Sequence, residues 1–414
     1  MSDEIDPEVD SEEAAEHMPS IYFANVLYFR FIMTQDYLYK VYCKKIKEEN
    51  IKVFETLGIF NIFDPTLRKI SPSYQHDGMQ SFGEQAIYFF IEFNSKTYIV
   101  SLMKLKAYDK EDVIYSVGVE GMNSKCEESF ELYKYIKKAS TQNSPLKGNI
   151  IEITNKDFKN NLLDNINIRE KPNVELKDIY YPEKINFSIR RMIFEITNYS
   201  RNQNTLRYLL NGNPGTGKTQ LISAIINSTF GKITTIILQG TDFDFNIVFE
   251  FCSFFNPCLL VIDDLDFIAH NRDSSISTSQ LNDFLHALDG IYSTSIFLIA
   301  ATNDKGLVDL AASRPGRFDL IIDFGHLNPE NYIQLIKRET KDEEIIELFT
   351  NEILRDLSDK KVTGAYIVNM IKQIKSIKIM KEEFNRKDLL ELIDYSYDGF
   401  YDINEKSIKK VVGF

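Results

Sequence analysis

The chain has 414 residues, 43% hydrophobic and 26% charged, which is too long for one ordinary core and implies two or three domains. Its formal net charge is −13, but eight acids and no Lys or Arg fall in the first 18 residues, so the body is mildly acidic and a poor general match for nucleic acid. The four cysteines (Cys43, Cys126, Cys252, Cys258) lack C-x-x-C spacing, which argues against a zinc site or disulfide framework and for a reducing, cytoplasmic setting.

Residues 1–19 read as an acidic, disordered tail without the basic start of a signal peptide. From Ile21 to about Glu55 the pattern suggests one long helix or two, with Tyr and Phe along one side. Arg30, Gln35, Asp36 and Lys40 make a membrane span there costly, so no membrane association is expected. Ala86–Phe93 and Thr97–Leu102, parted by Asn94-Ser95-Lys96, read as a hairpin. Asp112–Val119 reads as a further strand and Glu127–Lys138 as a helix. Residues 20–142 are therefore expected to form an α+β N-terminal domain that selects a substrate or partner, and its composition discloses no chemistry. A linker at 143–174 follows, with a strand at Ile150–Thr154 and a polar, Asn-rich stretch beyond it.

A helix at Ile185–Tyr199 leads to a short apolar strand, Arg207–Leu210, and then to Gly212-Asn213-Pro214-Gly215-Thr216-Gly217-Lys218-Thr219. This is G-x-x-x-x-G-K-[ST], followed from Gln220 by helical spacing of apolar residues. The strand, glycine loop and helix together make a phosphate cradle. The glycines let successive N–H groups face one concavity, and the helix N-terminus adds positive potential. Lys218 is placed to reach the β- and γ-phosphates, and the Thr219 hydroxyl to ligate Mg2+.

Further strands are expected at Ile233–Leu238, Leu259–Ile262, Ser295–Ala301 and Leu320–Phe324, alternating with helices as a parallel sheet requires. The strand at Leu259–Ile262 runs into Asp263-Asp264-Leu265-Asp266, which puts carboxylates at the sheet edge where ligands bind. Asp263 suits the Mg2+ shell, and Asp264 suits accepting a proton from an attacking water. After Pro329 the chain turns helical to about Ile393.

Ala300-Ala301-Thr302-Asn303, then Ser313-Arg314-Pro315-Gly316-Arg317-Phe318-Asp319, complete a recognisable order. It resembles the AAA clade of the AAA+ ATPases over roughly residues 175–380, and Leu288-Asp289-Gly290 fits the same clade. Within it, the pattern looks closest to the mitochondrial Rieske-protein translocase and to bacterial relatives of the Cdc48 and proteasomal ATPases. The resemblance implies a large α/β P-loop subdomain at 175–327, a helical lid at 328–414, and ATP with Mg2+ as ligands. It makes Asn303 a sensor that orients the lytic water, and Arg314 and Arg317 arginine fingers acting in a neighbouring subunit's site. That in turn implies a self-assembled ring, most often a hexamer. Gly364-Ala365 matches the start of the second-sensor helix near adenosine. Asp178-Ile179 stands at the adenine contact, with Tyr180 and Tyr181 where glycine is usual.

Two departures bear on function. Asp264 replaces the usual glutamate, and its shorter arm can slow water activation. Between Gly240 and Pro257 the chain offers Thr241-Asp242-Phe243-Asp244-Phe245-Asn246 in place of a longer aromatic pore loop, so Phe243 and Phe245 either grip a threaded chain or pack beneath the next helix, Ile247–Phe255. The leading expectation is a ring-forming ATPase that remodels, unfolds or disassembles a protein partner. The alternatives are a nucleic-acid motor or loader, and a nucleotide-gated scaffold with slow turnover.

Overall fold

A computed structural model describes residues 20–61, 64–69, 85–106, 113–121, 126–154, 165–179, 181, 183–240, 243–266, 277–290, 295–304, 306, 316–325, 327–380 and 384–397. The chain divides into two compact units. The first takes the chain up to Asn149 together with 153–168 and 246–255; the second takes the rest.

The first unit contains β1 (Ser20–Val26), α1 (Tyr28–Tyr42), β2 (Ile51–Asn61), β3 (Asp64–Lys69), β4 (Gln85–Phe93), β5 (Lys96–Lys106), β6 (Val113–Gly121) and α2 (Cys126–Gln142). Its six strands pair antiparallel in the order β1-β6-β5-β4-β2-β3. Strict alternation sets the faces: Phe89, Ile91 and Phe93 of β4 are buried, whereas Tyr88, Phe90 and Glu92 are not. The inward set meets Leu132, Ile136 and Ala139, which recur at helical spacing along α2. The expected helix over Ile21–Glu55 is limited to α1. Its first residues instead pair with β6 from Ser20↔Gly121 to Val26↔Tyr115, and its last begin β2. Aromatic and β-branched residues fit an edge strand as well as a helix, and only Phe29 to Val41 keeps a helical burial pattern.

The rest of the chain carries β7 (Ile150–Ile153), β8 (Ile166–Arg169), α3 (Glu183–Thr197), β9 (Arg207–Gly212), α4 (Lys218–Thr229), β10 (Thr234–Leu238), α5 (Phe245–Phe254), β11 (Cys258–Ile262), α6 (Ser277–Gly290), β12 (Ile296–Thr302), β13 (Leu320–Phe324) and the helices α7 (Pro329–Glu339), α8 (Glu343–Leu348), α9 (Asn351–Asp359) and α10 (Gly364–Met380), with most of β8 and α5 grouping with the first unit and the other elements with the second. Nearly all of α5 groups by its contacts with the first unit, although it lies between β10 and β11 in sequence. There the rings of Phe251 and Phe254 meet Phe29 edge-on at 5.0 and 5.6 Å, and the Arg30 guanidinium lies 4.9 Å from the Phe254 centroid.

The seven-stranded sheet runs β13-β9-β12-β11-β10-β7-β8, parallel from β13 through β10. Every residue of β9, β11 and β12 is buried, as expected of central parallel strands covered on both faces. Adjacency of β9, β12 and β11 brings Gly212, Thr302 and Ile262 to one edge, and the segments that follow these strands open there. The helices after Pro329 close on a core of Tyr332, Ile336, Leu357, Ile367 and Ile371. Asn328 caps α7, its side chain accepting from the Asn331 N–H at 2.8 Å, with Pro329 in the first turn. Among the described residues, no helix is long and apolar enough to cross a membrane.

Candidate active site

The loop after β9 turns where only glycine is at ease. Gly215 has φ 77° and Gly217 φ 97°, and a Cβ on Gly217 would lie 2.7 Å from the Tyr181 hydroxyl. Asn213 holds the loop's curl, its carbonyl accepting the Thr216 hydroxyl at 2.8 Å. The loop delivers Lys218 as the first residue of α4, which buries Leu221, Ile222, Ala224, Ile225 and Ile226 beneath it. Lys218 Nζ donates to the carbonyls of Gly212 (2.5 Å) and Asn213 (3.3 Å) and to Asn303 Oδ1 (2.7 Å). One ammonium thus ties the loop to the residue after β12. Burial lowers the Lys218 pKa, and the carboxylates of Asp266, Asp263 and Asp264 oppose that fall.

A cavity of about 510 Å³ opens over this loop. Pro214, Gly215, Thr216, Gly217, Lys218, Thr219 and Gln220 form one side of it, and Asp264 and Asn303 its polar end. Ile179, Tyr181, Leu327, Leu335 and Val368 supply its apolar lining, and Asn331, Arg338, Asn369 and Lys372 also line it. Gly364 and Ala365 complete the wall, and the Ala365 N–H donates to the Gly215 carbonyl at 3.2 Å, joining α10 to the loop. Gly212, Asn213 and Asp263 stand outside this wall. Asp263 lines an adjacent cavity of about 670 Å³, which Thr219 and Asp264 also line.

Asp264 takes a left-handed backbone, φ 62°, which a short polar side chain tolerates better than most. Burial raises its pKa, reinforced by Asp263 and Asp266 and opposed by Lys218. Such a carboxylate is suited to accepting a proton. Asp266, to which the sequence motif gives no role of its own, accepts the Asn303 N–H at 2.9 and 3.1 Å and the Thr302 hydroxyl. It holds the Asn303 segment against the acidic turn. The D-x-D spacing is visible in the sequence, but only the β11–β12 pairing brings Asp266 to Thr302.

The expected arginines separate. Arg314 lies outside the described residues. Arg317 is 5% exposed and bidentate on Asp289, Nε to Oδ1 at 3.0 Å and Nη2 to Oδ2 at 3.1 Å, so its guanidinium is engaged within its own subunit. Asp178 ends a 3-10 turn (Leu176–Asp178), and its side chain also lies outside the described residues. Tyr180, Thr241 and Asp242 lie outside them as well, as does the acidic tail 1–19. Phe243 and Phe245 are 4% and 2% exposed, and Phe245 packs on Phe284 at 5.0 Å. Both side chains are buried, with Phe245 opening α5 and packing on α6 rather than beneath its own helix.

The donor set suits a nucleoside triphosphate with Mg2+. The glycines sit where any side chain of their own would collide with neighbouring groups, and a lysine closes the cradle. The exposed Thr219 hydroxyl and the Asp263 carboxylate are hard oxygen donors that share the adjacent cavity. Among the described residues, no three His, Cys, Asp or Glu side chains converge as a metal site of their own.

A parallel sheet whose central strand feeds a glycine cradle, with acids and a polar side chain on the neighbouring strand ends, defines a P-loop NTPase. Residues 208–326 match the family described as "ATPase family associated with various cellular activities (AAA)", so this stretch is similar to the AAA ATPases. The chain is 27% identical over 205 residues to "Ribosome biogenesis ATPase RIX7" of Saccharomyces cerevisiae, covering 46% of this chain and 24% of that protein. It is 26% identical over 263 residues to "ATP-dependent zinc metalloprotease FtsH 2" of Thermoanaerobacter sp., covering 58% and 51%. Over 133 residues it is 35% identical to "Peroxisomal ATPase PEX6" of Rattus norvegicus, covering 28% and 13%. The chain spans no more than about half the length of these curated relatives.

Proposed function

We propose that this protein hydrolyses ATP as a self-assembled ring and couples the cycle to remodelling of a protein partner. The observation that carries this reading is the convergence of Lys218, Asn303 and Asp264 on the polar end of one glycine-lined cavity. Water attacks the γ-phosphorus, a proton passes to Asp264, and the bond to the β-bridging oxygen breaks to give ADP and phosphate. Asn303 orients the water, and its own position is fixed by Lys218 and Asp266. Thr219 and Asp263 would hold Mg2+, which would supply charge neutralisation on the phosphates. Arg314 is the residue lent to the neighbouring subunit, while Arg317 is paired with Asp289. The helices after Pro329 move with the cycle, because α10 touches the loop at Gly215. The first unit selects the partner.

Burial of Phe243 and Phe245 favours remodelling without an aromatic grip at those positions, and it supports a second reading, a nucleotide-gated scaffold with slow turnover. Binding and turnover separate the two. Lys218→Ala is expected to lose nucleotide binding, and Asp264→Asn to bind Mg-ATP while losing hydrolysis. Wild-type protein that assembles with ATP but disassembles independently of hydrolysis would favour the scaffold. Stimulation of hydrolysis by nucleic acid rather than protein would overturn the partner assignment.

A further inference from the structure

The cavity wall contains one aromatic side chain among the described residues, Tyr181, and it stands where the resemblance leads one to expect glycine. Its hydroxyl donates to the Gly217 carbonyl at 2.6 Å. That same carbonyl accepts the Leu221 N–H at 3.0 Å, so the phenol binds the root of α4 where the phosphate loop becomes helix. The ring is fixed from behind by Phe324, edge-on at 5.3 Å, and the Tyr181 backbone by Asn186 Nδ2, which donates to the Tyr181 carbonyl at 2.8 Å. Tyr181 therefore lines the cavity together with Ile179 and Leu335 while its hydroxyl holds the phosphate loop. A triphosphate occupies the glycine cradle by charge and N–H donation, which leaves the apolar lining for the base and ribose.

We propose that Tyr181 is a two-ended positioning residue: its hydroxyl latches the phosphate loop through Gly217, and its ring is the wall against which the nucleoside packs. This rests on the nucleotide-binding reading above and adds the residue that links base recognition to loop shape. Burial raises the phenol's pKa, so the latch keeps its proton across the working pH range.

Titration calorimetry of the full chain with Mg-ADP and, separately, with Mg-tripolyphosphate tests both ends. Tyr181→Phe keeps the ring and removes the latch, so both ligands are expected to weaken about fivefold with their ratio unchanged. Tyr181→Leu removes the wall as well, so the preference for ADP over tripolyphosphate is expected to fall about tenfold further. A residue that only fills the core would leave that preference alone. Wild-type affinities in Tyr181→Phe would overturn the latch, and that variant preserves the packing, so it decides even if Tyr181→Leu fails to fold. An unchanged preference in folded Tyr181→Leu would overturn the wall. Wild-type protein that binds neither ligand would overturn the proposed function together with this inference, whereas wild-type binding with an inert Tyr181 overturns this inference alone.

Discussion

Asp264 is the residue on which the proposed chemistry turns. Burial and two neighbouring acids push its pKa up, and a general base works only when deprotonated, so turnover should fall on acidification at a pH above that of an ordinary aspartate. The same shift has a stability sign. The folded state holds this proton more tightly than the unfolded chain, so the contribution of Asp264 to stability declines as pH rises from its unfolded to its folded pKa. A pH profile of kcat/KM, which reports the free enzyme, reads the first effect, and an acid limb at the ordinary aspartate value would contradict it. Asp266 acts at one remove, through the Asn303 N–H and the Thr302 hydroxyl. Asp266→Ala should lower kcat about tenfold or more while the ADP affinity changes less than about twofold, because water orientation is lost and the cradle is kept. Steady-state kinetics beside calorimetry checks this; an equal loss in both would make Asp266 a general structural residue instead.

Among the elements, those with a strong local period are legible from the amino-acid order alone. Strands β9, β11 and β12 read as buried apolar runs, and the hairpin of β4 and β5 reads as alternation around Asn94-Ser95. The turn there is tight, with Asn94 at φ 49° and Ser95 at φ 63°, the mirror-image geometry that matches strand twist. Glycine is more at ease at such a φ than serine, so Ser95→Gly should stabilise the first unit by about 0.5–1 kcal/mol, seen as a higher midpoint in chemical denaturation. A lower midpoint would mean that the serine side chain contributes something the turn geometry does not reveal. β1 is not legible in this way, because Ile21–Val26 becomes a strand only through pairing with β6. Nor is the grouping of α5 with α1, since Phe29 meets Phe251 and Phe254 across a long sequence separation that no local pattern encodes. The site divides the same way. Its loop and acids are contiguous motifs, whereas the Tyr181–Gly217 and Arg317–Asp289 contacts depend on chain returns visible only in the fold. Replacing Arg317 strands a carboxylate at the end of α6, a loss of about 1.5–3 kcal/mol, so inactivity of that variant alone would not identify a finger.

At the scale of the whole molecule, the proposed ring needs a site built by one copy to be completed by another. The cavity of a single chain holds Lys218, Asn303 and Asp264, and the described arginine of the motif, Arg317, is engaged on Asp289. On the proposed reading, charge on the transferred phosphoryl group is met by Arg314 of a neighbour. Subunit mixing tests this most directly. Asp264→Asn and Arg314→Ala chains should each be inactive alone, and mixing them should restore part of the ATP hydrolysis, because some interfaces then pair an intact Asp264 with an intact Arg314. Absence of restored hydrolysis at every mixing ratio, with both variants shown to bind ATP and to co-assemble, would contradict the account.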